Sequence, residues 1–172
     1  VTPHLRLIPA ESSHYEAVLL GNEILSAVLG VQVPDKWTQF PEAILVSYDR
    51  VKTDPTLIGW FFHFIIHQKD NVLIGTGGYK GKPDAGAVEI GYEIIPAYRE
   101  KGYATEIARR LIKHAFAFPE IKKVIAHTLP EFNASTRVLL KAGMQFKAAE
   151  KDPEDGEIWL WEILKKDYLP KK

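Results

Sequence analysis

Apolar positions along the chain switch between two periods, and the switch marks out the elements. A helical spacing of about 3.6 residues is clearest over Gly102–Phe116, where Ile107, Ala108, Leu111, Ile112, Ala115 and Phe116 share one face. A similar stripe predicts a helix over residues 13–29, with Tyr15, Val18, Leu19, Ile24, Leu25 and Val28 inward. Shorter helices are predicted over Glu42–Thr53 and Ala134–Ala142, the latter with Gly143 as its C-terminal cap. β-rich runs predict strands at Leu5–Pro9, Leu57–His67, Val72–Tyr79, Ala87–Ile95, Lys123–Leu129, Met144–Glu150 and Ile158–Leu164. Asp70-Asn71 turns between the second and third of these strands, and Pro96 ends the fourth. The stretch Val31–Phe40 reads as loop.

This order is α+β, with consecutive strands antiparallel. One parallel step is open where the long helix links Ala87–Ile95 to Lys123–Leu129. No linker, repeat or low-complexity tract interrupts the chain. Its 172 residues read as one domain, 1–172.

Composition narrows the function classes. The apolar fraction is 46% and the charged fraction 26%, which excludes whole-chain disorder. Lys+Arg and Asp+Glu are 22 each, and this balance counts against a general nucleic-acid binder. There is no cysteine, so disulfide scaffolds, zinc–thiolate sites and cysteine nucleophiles drop out. The opening Val1–Pro9 has no basic segment before a long apolar run. The most apolar stretch, Leu57–Ile66, is far shorter than the ~20 residues of a membrane span. The expectation is a cytoplasmic protein without a membrane partner.

The chemistry concentrates after Pro96. A short loop carries Arg99-x-x-Gly102-x-Ala104 and runs directly into the strongest helix. Gly102 and Ala104 leave backbone N–H groups accessible at a helix N-terminus, where the dipole favours an anion. From Arg99 to Lys123 there are seven basic and three acidic residues. A phosphate or pyrophosphate seat fits this pattern; a glycine that only makes the turn fits the spacing alone.

The same segment resembles the acetyl-CoA signature Arg/Gln-x-x-Gly-x-Gly/Ala of the GCN5-related N-acetyltransferases (GNAT). Glu89-Ile90-Gly91-Tyr92 resembles the strand before that loop, and Glu131–Met144 resembles the family's later helix. Thr2–Leu7 resembles the opening of the branch that contains ribosomal-protein N-terminal acetyltransferases. The resemblance spans nearly the whole chain. It implies a twisted mixed β-sheet flanked by helices, with a splay between two central parallel strands.

It also implies acetyl-CoA as donor and a primary amine as acceptor, either a protein N-terminus or a small molecule. Pantetheine would pair with backbone near Ile94 and Ile95. The pyrophosphate would lie on the loop and first turn formed by Arg99, Glu100, Lys101, Gly102, Tyr103, Ala104 and Thr105. Glu89 matches a water-linked glutamate base, with Glu93 as understudy. Ser135 matches the serine used by the ribosomal branch; as a residue type it equally suits a helix cap. Two positions depart from the pattern. Leu139 stands where many members carry a tyrosine acid. Phe132 stands at the usual CoA-contacting asparagine, which leaves Asn133 to substitute.

His63 and His67 lie four apart within a strand, where a structural role outweighs a metal site; no metal is expected. Gly75–Gly81 reads as strand and turn. Trp159 and Trp161 share a strand face, and Trp37 reads as a packing anchor or a lid. An aminoglycoside, polyamine or amino-acid acceptor is the alternative enzyme reading. A non-catalytic acyl-CoA-binding module is the alternative of another class. Monomer and homodimer both stay open.

Overall fold

In the computed structural model, residues 2–168 are described. Val1 and residues 169–172, at the two ends of the predicted domain, lie outside that range. Twelve elements follow in order. They are β1 (Leu5–Pro9), α1 (Ser12–Leu20), α2 (Asn22–Leu29), α3 (Pro41–Thr53), β2 (Phe62–His67) and β3 (Val72–Tyr79). Then come β4 (Ala87–Ile94), α4 (Tyr103–Phe116), β5 (Lys123–Thr128), α5 (Ala134–Lys141), β6 (Gln145–Asp152) and β7 (Gly156–Leu164).

The seven strands form one mixed sheet in the order β1-β2-β3-β4-β5-β7-β6. Neighbours are antiparallel except β4 and β5, which are parallel and joined through α4. The parallel step left open by the sequence is therefore real. Helices cover both faces, because strand side chains alternate sides. In β2, Ile65 joins the cluster under α4, while Phe64 and Ile66 join the one under α1–α3. The α4 stripe is buried as its period predicts, each of its large apolar side chains adding about 1.5–3 kcal/mol of burial.

Two boundaries differ from expectation. The helix predicted over 13–29 is two helices, because Gly21 adopts φ 116°, ψ 166° and breaks the backbone. The break changes the helical phase. Tyr15 and Leu25 are buried as expected, but Leu19, Ile24 and Val28 are exposed and Ala17 and Leu29 are buried instead. The strand predicted from Leu57 starts only at Phe62. Leu57 instead ends a short 3-10 turn, Pro55–Leu57, capped by the Asp54 carboxylate on the Thr56 N–H, and residues 58–61 turn and bend before the strand.

The glycines of β3 are set by close approach. A Cβ on Gly75 would lie 2.0 Å from the Glu93 carbonyl oxygen, and one on Gly78 would lie 1.8 Å from that of Phe61. Among the described residues, no helix is long and apolar enough to cross a membrane.

Candidate active site

Strands β4 and β5 run together for three residue pairs only, Ala87–Glu89 against Lys123–Ile125. Beyond Glu89 they part, and this is the splay that the resemblance implies. The β3–β4 ladder fixes what β4 presents to the gap. Lys80 donates its N–H to the Glu89 carbonyl at 2.9 Å, and Ile95 donates to Ile74 at 2.8 Å. Antiparallel alternation then turns the backbone groups of Tyr92 and Ile94 away from β3, toward the gap. The Ile94 carbonyl accepts the Arg99 Nε–H at 2.8 Å, which leaves its N–H. Ile95 differs from Ile94: its N–H is held by Ile74 and its carbonyl accepts from Tyr98 at 3.0 Å.

The loop after β4 is shaped for an anion. Glu100 (φ 62°) and Gly102 (φ 83°) are both left-handed, and Gly102 is the N-cap of α4. Among the described residues, the N–H groups of Gly102, Tyr103, Ala104 and Thr105 have no acceptor within the chain. Four orphan donors at the positive end of a 14-residue helix suit a phosphate. Arg99 braces the loop onto Ile94, and the Lys101 ammonium lies over the Tyr98 ring at 5.3 Å. A second cavity, of about 780 Å³, adjoins this seat and is bordered by Lys101, Arg109, Arg110, Lys113 and Lys141.

The main cavity, of about 810 Å³, occupies the splay. One wall is β4 from Ile90 to Glu93, the opposite one β5 from Ala126 to Thr128. Its open side is bordered by Val46 and Arg50 of α3 and by Phe40 and Phe61, which immediately precede α3 and β2. Asn133, Ser135 and Leu139 reach it from α5 and its cap.

The predicted residues divide on inspection. Glu89 is beside the cavity rather than on its wall. Its Oε2 lies 2.7 Å from Lys80 Nζ and 3.1 Å from His127 Nδ1. His127 lines the cavity, and its Nε2 lies 3.0 Å from Glu150. Burial alone would lower the His127 pKa, but hydrogen bonds and charge from Glu89 and Glu150 outweigh it and raise the pKa above the ordinary value. Glu93 does face the cavity. It accepts from the Thr38 hydroxyl, from the Gln39 N–H at 3.2 Å and from Thr76 Oγ1 at 3.5 Å.

At α5 the cap is Asn133, not Ser135. Asn133 Oδ1 accepts the Thr136 N–H at 3.2 Å, and Thr136 Oγ1 accepts the Asn133 N–H at 2.8 Å. Ser135 lines the cavity without that duty. Phe132 is 79% exposed and sits edge-on to Trp159.

Other flagged residues take structural places. Trp37 is buried against Phe64 and donates its indole N–H to Asn22 at 3.1 Å, so it anchors the 31–40 loop. His63 packs on Tyr79; burial first, then the charge of His114, pushes its pKa down to about 4. His67 pairs with the Tyr103 hydroxyl at 2.9 Å. Among the described residues, no group of acidic, His or Cys side chains is placed to hold a metal. Sequence reasoning missed His127, Thr38, Thr76 and Arg50. Nothing local marks them; each enters the site through a partner distant in the chain.

Comparison with known proteins fits this architecture. The acetyltransferase (GNAT) domain model matches residues 4–145. YjdG of Bacillus subtilis strain 168, named as an N-acetyltransferase, is 34% identical over 131 residues, covering 71% of this chain and 76% of YjdG. A solved structure of RimL, named as a ribosomal L7/L12 alpha-N-protein acetyltransferase and holding coenzyme A, matches with a TM-score of 0.68. It is 16% identical and covers 98% of both chains. A spermidine N-acetyltransferase SpeG chimera from Vibrio cholerae matches with a TM-score of 0.68 at 17% identity, over 98% of this chain and 99% of that one. The fold and cleft thus define an acyltransferase class, and the chain belongs to the GNAT acetyltransferase family. Its enzyme class is N-acetyltransferase.

Proposed function

We propose that residues 1–172 act as one cytoplasmic domain that moves an acetyl group from acetyl-CoA to a primary amine, with protein or peptide α-amines among the candidates. The observation that carries the reading is the parting of β4 from β5 directly beside a helix N-terminus with four orphan N–H groups. That gap suits pantetheine against Tyr92 and Ile94, and the seat from Arg99 to Thr105 suits its pyrophosphate. Asn133 is engaged as the α5 cap, so any help it gives to the donor comes in addition to that role.

In this reading the neutral amine attacks the thioester carbonyl carbon. A C–N bond forms, the C–S bond breaks and the thiolate leaves. An α-amine, with a pKa near 7.7–8.0, needs less help than a lysine near 10.4. Glu89 receives the amine proton through water, and His127 joins its carboxylate to the cavity wall. Ser135 is the hydroxyl on the thiolate side, its helix already capped by Asn133.

Thiol release from acetyl-CoA, followed with a thiol reagent across a panel of amines, tests this. The chain has no cysteine, so every thiol detected is CoA. Turnover with at least one primary amine is expected. Silence across the panel, with CoA still raising the melting temperature, would replace the enzyme by a binding module.

A further inference from the structure

The charges around the main cavity do not match a polycation. Its wall carries three basic side chains and one acidic one, Glu93. Glu93 already accepts three hydrogen bonds, from Thr38, Gln39 and Thr76. Lys80 is spent on Glu89 at 2.7 Å, and His127 is held between Glu89 and Glu150. Arg50 is different. Among the described residues it has no carboxylate partner, and its guanidinium lies 6.0 Å from the Phe61 ring centroid.

Arg50 is exposed at the cavity edge, with Val46 one helical turn before it and the Phe61 ring beside it. A guanidinium laid over an aromatic ring keeps its N–H fork free for a carboxylate. The one acidic group and the one unpaired cation come from different elements, Glu93 from β4 and Arg50 from α3.

Building on the acetyltransferase reading above, we infer that the acceptor is a monoamine with an apolar body and a carboxylate. Its carboxylate lies on Arg50 and its apolar body against Val46 and Phe61. Amino acids and short peptides with apolar side chains have this chemistry. A polyamine does not, because its second ammonium would meet Arg50 rather than a carboxylate.

The probes are phenylalanine and alanyl-phenylalanine as free acids, the same two as amides, and spermidine. Turnover is read by thiol release. Binding of the corresponding N-acetylated products is read by calorimetry, which needs no catalysis. The free acids are expected to bind and turn over about 2–5-fold better than the amides, the range of an ion pair with an exposed guanidinium. Spermidine should be the weakest.

Arg50→Met keeps the apolar stem over Phe61 and should bring acids and amides level. Arg50→Lys should retain part of the preference. Equal binding of acids and amides by the unaltered protein would overturn the inference. So would an Arg50→Met that weakens both alike, or strong spermidine binding. If acids bind with the Arg50-dependent preference but nothing turns over, the acetyl-transfer reading falls and the assignment of the site stands.

Discussion

His127 of β5, two residues beyond the last paired residue Ile125, lies 3.1 Å from Glu89 of β4, where the two strands part. The side chain therefore sits at the apex of the cleft, with Glu150 on its other nitrogen at 3.0 Å. Two carboxylates on one imidazole favour its charged form. The resulting pKa is raised, so its stabilisation is complete below the unfolded value of about 6.5 and is lost as pH climbs through the folded value. Proton NMR titration of His127 should show the raised midpoint, and Glu89→Gln should move it back down. The same variant should lower turnover while acetyl-CoA affinity stays nearly unchanged. An unaltered pH–rate profile in Glu89→Gln would remove this carboxylate from the proton path.

His63 works in the opposite sense. It is buried against Tyr79 and its pKa is pushed down to about 4. Here the unfolded chain binds the proton more tightly. Stability is full above about pH 6.5 and falls as pH drops through the folded value near 4. The shift corresponds to about 3 kcal/mol. Denaturant unfolding at pH 7 and pH 4 should show a loss of that order, and His63→Leu should remove most of the difference. A His63→Leu protein with the full acid sensitivity of the parent would assign that loss to other groups.

The sheet and its long helix were legible because their signals are local. The α4 stripe repeats within 14 residues, and Pro96 marks the end of β4 in the sequence itself. Gly102 could be placed before α4 for the same reason. The broken helix at Gly21 was hidden because an apolar stripe runs across it, and one glycine is compatible with either outcome. The charged cluster was hidden for a different reason. Glu89 and His127 are 38 positions apart, and only the register of the parallel pair brings them together. Ser135 and Asn133 show how residue type misleads at a helix start. Both are good cap residues, and the backbone chose the one whose oxygen meets the third helical N–H.

Gly102 offers a test of the phosphate seat that differs from simple crowding. A Cβ there would meet no atom within 4 Å, so bulk alone does not clash with the protein. Its φ of 83° is the obstacle, since a side chain in the left-handed region costs roughly 1–2 kcal/mol. Gly102→Val should therefore lower the melting temperature and tilt the N–H groups of the seat. Affinity for acetyl-CoA should fall, whereas affinity for acetyl-pantetheine, which lacks the nucleotide, should change little. Equal losses for both donors would move the pyrophosphate away from this turn.

Glu93 and Thr38 tie the acceptor side together. The Glu93 carboxylate reaches across the cavity mouth to the Thr38 hydroxyl and the Gln39 N–H, while Trp37 next to them is fixed in the core. Residues 38–40 are thus held at both ends, by Trp37 and by proline-started α3. Charge-assisted hydrogen bonds of this kind contribute about 1.5–3 kcal/mol when intact. Glu93→Gln and Thr38→Val each weaken the tie without touching the donor seat. Both variants should raise KM for the amine several-fold and leave acetyl-CoA affinity at the parental value. The double variant should add little beyond Glu93→Gln alone, because Thr38→Val removes a contact that Glu93 itself makes. Additive effects in that cycle would mean that Glu93 and Thr38 act separately on the acceptor.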